Sequence, residues 1–261
     1  MIFCIDIGNS NIKYAIFDGD QLKGTFRVTS QRNATSDEYG VIVRDLLKTA
    51  GIPKSAITGV IMSSVIPSLN YTMEHMCRDY LGVNPLIIGP GVKTGLNVKA
   101  DNPREVGSDI IVDSVSAIKR FGTGTPIVCI DFGTATTFDI ISASGELIGV
   151  VISPGIKLSL DSLTNGTANL PRIELERPKS VIGKNTVNCM QAGIVFGFAG
   201  LVDNIVTKIK EELGRPDTKV IATGGMGRII YKETKVIDCF DEMLTLNGLR
   251  YIYEMNEKVN K

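Results

Sequence analysis

The chain of 261 residues has no tryptophan, a single histidine, five cysteines and no surplus of either charge, with 28 Lys+Arg set against 28 Asp+Glu. Each shortage closes off a class of function. A formal net charge of zero gives no long-range attraction to nucleic acid or to an anionic membrane, so any phosphate must be held by local geometry. One His and no Cys-x-x-Cys leave no ligand set for zinc. Cys4, Cys77, Cys129, Cys189 and Cys239 are odd in number and widely spaced, which points to reduced thiols in a cytosol. The longest unbroken apolar run, Ala192–Val202, is eleven residues and ends at Asp203, well short of the ~20 that cross a bilayer, so no transmembrane helix is expected. Asp6 lies inside the first apolar stretch and no basic leader precedes it, so a secretory signal is not expected and the expected location is cytoplasmic. What is present is a 43% hydrophobic content without excess charge, the profile of a globular protein with a full-sized core.

The length allows one large domain or two modest ones, and an internal repeat favours two. Ile2-Phe3-Cys4-Ile5-Asp6, followed by Ile7 and Gly8, recurs 125 residues later as Ile127-Val128-Cys129-Ile130-Asp131, followed by Phe132 and Gly133. The same offset places Ile16 on Ile141, Leu22 on Leu147 and Gly24 on Gly149. Both segments read as strand, polar turn, strand, turn, strand, with β-branched runs broken by Gly, Asn, Asp and Ser. Helices and strands then alternate, the pattern of a mixed sheet with helices on its faces. Thr35 and Glu38 form a capping box for a helix through Lys48, a strand is expected at Gly59–Ser63, and a helix runs from Pro67 to about Tyr80. A strand at Pro85–Ile88, a long helix from about Asn185 to Leu213, a strand at Val220–Ala222 and a helix from about Glu242 to Glu254 complete the reading. The Gly/Thr/Pro-rich segment 121–126 reads as the hinge. The expected fold is α/β, with domains at 1–120 and 121–261 and a ligand cleft between them.

Four segments carry candidate chemistry. In the first turn, Gly8 permits close backbone approach while Asn9, Ser10 and Asn11 offer donors to phosphate oxygens and Lys13 adds a point charge. The matching turn at 131–137 offers Gly133 and the hydroxyls of Thr134, Thr136 and Thr137. Either Asp-x-Gly alone describes an ordinary hairpin. Two in register, with Asp6 and Asp131 at strand ends, suit a nucleotide-bound divalent cation that takes only one or two protein carboxylates. Gly224 and Gly225 follow a strand and would let a flat base lie against the backbone, or would simply form a Gly-rich helix entry. The P-loop and the Rossmann fingerprint are both missing. In Asp101–Asp109, Ser108 fits an N-cap and Asp109 a first turn, where the helix dipole favours a carboxylate and makes it a weak base but a good orienter. Ile111, Val115 and Ile118 recur at core spacing behind them.

In order, DIGNSN at 6–11, DNPREVGSD at 101–109, DFGTATT at 131–137, SPG at 153–155, TANLP at 167–171, IGKNT at 182–186, ATGG at 222–225 and LTLNGLRYIY at 244–253 resemble the type III pantothenate kinases over nearly the whole chain. That family belongs to the acetate and sugar kinase, Hsc70 and actin superfamily, so the resemblance implies two duplicated ribonuclease-H-like domains with ATP between them. It implies transfer of the γ-phosphoryl of ATP to pantothenate, with Asp109 accepting the hydroxyl proton. Asp6, Gly8, Asn9, Ser10, Asn11 and Lys13 would hold phosphates, as would Gly133, Thr134 and Thr136, with Gly224 and Gly225 near the adenosine. Asn102, Gly107, Ser108 and, across a homodimer interface, Thr186 would line the pantothenate pocket. A divalent ion such as Mg²⁺ near Asp6, directly or through water, and K⁺ or NH₄⁺ near Asp131 are implied as well. The chain departs from the family pattern after Asp109: Ile110 replaces an Arg, and position 113 is Asp rather than Asn. An Arg beside the substrate is a strong partner for an anionic group, so either Lys99 or Arg104 takes its place or the pocket has diverged. Asp113, one turn from Asp109, is expected to raise the proton affinity of both. A kinase of another small hydroxylated substrate and a non-catalytic nucleotide-binding regulator stay open as alternatives.

Overall fold

The computed structural model describes residues 1–257. The chain forms two compact units, one from residues 1–96, 102–116 and the segment from Met243, the other from residues 97–101 and 117–242. The division falls inside a helix rather than at the segment 121–126, and it places the C-terminal helix with the N-terminal unit.

The first unit is built on β1 (Ile2–Ile7), β2 (Asn11–Asp18), β3 (Gln21–Thr29), α1 (Ser36–Thr49), β4 (Gly59–Ser64), α2 (Pro67–Met76) and β5 (Leu86–Ile87). Its sheet has the order β3-β2-β1-β4-β5, with β1 antiparallel to β2 and parallel to β4. Side-chain alternation splits the apolar strands between two cores, which is why they read as unbroken hydrophobic runs. Phe3, Ile5, Ile7, Tyr14 and Ile16 pack with Val43, Leu47, Leu69 and Met73 of α1 and α2. Cys4, Ala15, Phe17 and Ile61 face the other way.

Helix α1 starts as its sequence dictates: Thr35 Oγ1 accepts from the Glu38 backbone N–H at 3.3 Å, and Glu38 Oε2 accepts from the Thr35 N–H at 2.7 Å. Thr35→Ala removes one arm of this box and is expected to lower stability by about 1 kcal/mol. A denaturant titration checks this; an unchanged midpoint would contradict it. Helix α2 is shorter than its pattern suggests, because residues Cys77–Leu81 widen into a π-turn that ends at Gly82 in the left-handed region, φ 75°.

The second unit begins in β6 (Asn97–Val98). After α3 (Ser108–Phe121), which the boundary crosses, come β7 (Ile127–Phe132), β8 (Ala135–Ile141), β9 (Glu146–Pro154), α4 (Ile156–Asn165) and α5 (Thr186–Leu213). They are followed by β10 (Lys219–Thr223), α6 (Gly227–Tyr231) and β11 (Cys239–Phe240). The sheet order is β11-β10-β7-β8-β9-β6. Helix α5 has 28 residues with a mean hydropathy of 1.5 over its most apolar stretch, long and apolar enough to cross a bilayer by length and composition. This differs from the expectation based on unbroken runs, because isolated polar residues interrupt a run without removing the helix's apolar character. Its Ile194, Val195, Phe198, Val202 and Val206 pack against Val128, Ile130, Phe138 and Val220 of the sheet, so α5 is the core helix of this unit.

The repeat persists in the strand registers. In each unit a bulge leaves one residue of the third strand unopposed, Lys23 between the pairs Ile16↔Gly24 and Phe17↔Leu22, and Ile148 between Ile140↔Gly149 and Ile141↔Leu147. Ile16 is therefore equivalent to Ile140, not to Ile141. The offset of 125 holds for the first and third strands and is 124 for the second, because the first turn is one residue longer in the N-terminal unit.

The C-terminal helix α7 (Leu244–Glu257) belongs to the first unit because Leu246, Leu249 and Ile252 complete its second core beside Val112 and Val115 of α3. Gly248 admits the Val112 carbonyl, which an added Cβ would meet at 2.3 Å. On α3 the buried apolar side chains are Val112, Val115 and Ala117, while Ile111 and Ile118 are only half-buried.

Candidate active site

In the first unit the turn between β1 and β2 is closed by the Gly8 N–H donating to the Asn11 carbonyl at 3.0 Å. An added Cβ on Gly8 would reach the same oxygen at 3.0 Å, the tight approach that favours glycine there. Two residues beyond β3 hold the turn from outside: Ser30 Oγ donates to the Gly8 carbonyl at 2.6 Å, and Arg32 Nη2 donates to Asn9 Oδ1 at 3.0 Å. Neither stands out in the sequence, where both lie in a polar loop, and only the return of β3 alongside β2 brings them to the turn. Arg32 brings a positive charge to the turn in addition to that of Lys13. Asn9 and Ser10 are exposed.

Asp6 is the next-to-last residue of β1, almost wholly buried, opposite Lys13 in the β1–β2 register, and the Lys13 ammonium lies 3.6 Å from its Oδ2. Burial pushes the Asp6 carboxyl above the ordinary carboxylate range, with Lys13 and the Ser63 hydroxyl pulling the other way.

Asp109 lies in the first turn of α3 in the same unit. Its Oδ1 accepts from the Ile110 backbone N–H at 2.9 Å, and an added Cβ on Gly107 would meet that oxygen at 2.4 Å, so the glycine makes room for the carboxylate. Burial raises its proton affinity, the Ile110 N–H lowers it, and the negative charge of Asp6 raises it again; the net shift is upward. The helix dipole therefore does not dominate, and Asp109 is a better base than its helix-start position suggested. The like charge that raises it is that of Asp6, and Asp113 is buried one turn further along α3.

Ser108 differs from the sequence reading. It is the first residue of α3, and its hydroxyl bonds to the backbone of Ser64 on β4 instead of capping its own helix. Asn102 caps the short 3₁₀ turn Pro103–Glu105, accepting from the Arg104 N–H and donating to Glu105. Arg104 is exposed on that turn, in the same unit as Asp109, whereas Lys99 lies in the second unit and pairs with Glu146 at 3.3 Å.

In the second unit Asp131 is the next-to-last residue of β7, and its Oδ2 lies 2.9 Å from where a Cβ on Gly133 would sit. Thr134 is exposed on the turn and its carbonyl accepts from the Gly155 N–H at 3.0 Å. An added Cβ on Gly155 would come within 2.2 Å of that carbonyl, so the Gly of the SPG segment lets the start of α4 close on the turn, where α4 has no side-chain cap. Thr136 is a β8 residue opposite Phe132, fully buried, with no hydrogen-bond partner for its Oγ1. Gly224, at φ 101°, crosses the end of β7 so closely that a Cβ would lie 2.5–2.6 Å from the Phe132 backbone, whereas Gly225 is exposed. Thr186 is exposed as the first residue of α5, after the N-cap Asn185. Among the described residues no group of three or more His, Cys, Asp or Glu side chains gathers that could hold a metal ion.

Two α/β units, each with a strand-end carboxylate before a glycine turn, place the molecule among the actin- and sugar-kinase-type folds. Solved structures agree on the fold. An inorganic polyphosphate/ATP-glucomannokinase from Arthrobacter sp. strain KM superposes with a TM-score of 0.51 at 15% identity, covering 97% of this chain and 98% of its own. The (R)-2-hydroxyglutaryl-CoA dehydratase component A of Acidaminococcus fermentans gives 0.54 at 12% identity, with 95% of each chain covered. The sequence is more specific: residues 2–208 match the family model for type III pantothenate kinase. Curated type III pantothenate kinases of Geobacillus kaustophilus (strain HTA426) and Geobacillus sp. (strain WCH70) are each 47% identical over 256 residues, 98% of this chain and 98% of theirs. The chain belongs to the type III pantothenate kinase family.

Proposed function

We propose that this protein transfers the γ-phosphoryl group of ATP to the primary hydroxyl of pantothenate, yielding 4′-phosphopantothenate and ADP, the first step of coenzyme A biosynthesis, in the cytoplasm. The hydroxyl oxygen bonds to the γ-phosphorus, the bond from that phosphorus to the ADP oxygen breaks, and the hydroxyl proton passes to the Asp109 carboxylate. The observation that carries this reading, within the family assignment, is the environment of Asp109. A carboxyl whose proton affinity burial has raised sits beside a glycine that clears space for it, in the same unit as the Asp6–Lys13 turn. Phosphoryl transfer passes through a loose transition state, so placing the hydroxyl and neutralising the phosphates matter more than a strong base.

In this reading Gly8, Asn9, Ser10, Asn11 and Lys13 hold phosphate oxygens, joined by Arg32. Gly133, Thr134 and Thr136 do so in the second unit, where the buried Thr136 hydroxyl has no protein partner. Gly225 lies against the adenosine and Gly224 supports it. Asn102, Gly107, Ser108 and, from a second copy in a homodimer, Thr186 surround pantothenate. A divalent ion such as Mg²⁺ would be held by the nucleotide, water and Asp6, which suits a protein whose described residues provide single carboxylates and no cluster. K⁺ or NH₄⁺ would lie at Asp131. These ions neutralise phosphate charge when bound.

The test is phosphate transfer from ATP to purified pantothenate with Mg²⁺ and K⁺. Turnover that requires both substrates supports the reading, and ATP binding without transfer sinks it. A specific observation favours one second reading: Ile110 is aliphatic and Lys99 is engaged by Glu146, so an acceptor without the carboxylate of pantothenate needs fewer cations here. Faster turnover of a neutral hydroxylated acceptor than of pantothenate would decide for it.

A further inference from the structure

Ser63 is wholly buried at the end of β4, where it is the cross-strand neighbour of Asp6. Its Oγ lies 3.5 Å from Asp6 Oδ1 and 3.3 Å from Ser108 Oγ. Ser108 is clamped to the next residue of the same strand, its Oγ accepting from the Ser64 N–H at 3.1 Å and donating to the Ser64 carbonyl at 3.1 Å. With the Ser108 proton used on that carbonyl, the single proton of Ser63 serves either Ser108 or Asp6. Two hydroxyls and a strand end thus link the Asp6 carboxyl group of β1 to the residue immediately before Asp109. The second unit offers an internal comparison. Thr223 stands opposite Asp131 in the register in which Ser63 stands opposite Asp6, yet its buried hydroxyl has no hydrogen-bond partner. The duplicated fold supplies a hydroxyl at this position, and only the first unit connects it to a helix start.

We infer that Ser63 is a positioning residue, whose hydroxyl holds the first turn of α3, and with it the Asp109 carboxyl, at a set distance from Asp6. The inference rests on the kinase reading above and adds to it a residue that touches neither substrate. Both contacts are long for O–H···O bonds, as catalytic contacts often are before substrate tightens them. A displacement of about 1 Å between reacting groups can cost on the order of 100-fold in rate without weakening the binding of either substrate.

Ser63→Ala is expected to lower kcat about 10- to 30-fold while the KM values for pantothenate and MgATP each change by less than about twofold. Ser63→Thr, the residue at the equivalent place in the other unit, is expected to recover kcat to within about threefold of the parent, because the hydroxyl returns. Amide hydrogen exchange over residues 106–111 is expected to quicken in Ser63→Ala and not in Ser63→Thr. An unchanged kcat in Ser63→Ala, an effect confined to KM, or a threonine variant as impaired as the alanine variant overturns the inference. If the parent does not phosphorylate pantothenate, the kinase reading fails on its own. Exchange over 106–111 then decides the brace, faster exchange in the alanine variant supporting it and unchanged exchange overturning it.

Discussion

Asp109→Asn is expected to reduce kcat by about 10²- to 10⁴-fold, the usual contribution of a positioned general base, while making the folded protein more stable at neutral pH. The two effects share a cause. Burial, reinforced by the charge of Asp6, raises the proton affinity of Asp109 in the folded state above its unfolded value. The folded protein therefore holds this proton more tightly than the unfolded chain does, and ionising Asp109 costs stability. That cost is absent below the unfolded carboxylate range, grows as pH rises through the raised folded value, and is complete above it. Asparagine cannot ionise, and its carbonyl can still accept from the Ile110 N–H. The thermal midpoint of Asp109→Asn should exceed that of the parent at pH 8, and the gap should close toward pH 4. In the parent, the acid limb of kcat/KM should lie above the ordinary carboxylate range. A variant that keeps more than a tenth of parental kcat, or that melts lower than the parent at pH 8, contradicts the role assigned to Asp109.

Gly224→Ala should destabilise the protein by about 2–6 kcal/mol, combining ~1–3 for a non-glycine residue in a disfavoured backbone region with ~1–3 for overpacking. The φ of 101° already disfavours a side chain, and the atoms an added Cβ would meet at 2.5–2.6 Å are the backbone N, C and O of Phe132, which cannot rotate away. Neighbouring Gly225 is exposed and has no positive φ. Gly225→Ala should therefore melt close to the parent but raise the KM for ATP if a nucleobase lies there. Denaturant midpoints and ATP saturation curves for the two variants separate the roles. A fully stable Gly224→Ala would show that the approach to Phe132 is not demanding, and a Gly225→Ala variant unchanged in both readouts would remove the adenosine from this segment.

Much of the fold is local enough to be legible in the sequence. The capping box at Thr35 needs only residues three apart, the strands need only alternation between turn residues, and the repeat shows because two halves retain one pattern of apolar and turn positions. Asp109 is legible as a candidate through the surrounding DNPREVGSD segment. Its strength as a base is not, because the helix-start position points one way and the burial and nearby Asp6 that outweigh it come from elsewhere in the chain. Ser30, Arg32 and Ser63 escape sequence reading for a related reason: each is an ordinary loop or strand residue until a distant segment is laid against it. Ser63 meets Ser108 across 45 positions, and Arg32 meets Asn9 across 23.

By itself, then, the sequence determined the duplicated α/β pattern, the two carboxylate-and-glycine turns and the family, because hydrophobic period, turn chemistry and ordered motifs are properties of neighbouring residues. Tertiary structure alone decided the 124-residue offset of the second strands, the assignment of α7 to the N-terminal unit, the turning of Ser108 toward β4 and the raised proton affinity of Asp109. Those depend on strand register and on the exclusion of water by segments far apart in the chain, and neither is written in any local stretch of residues.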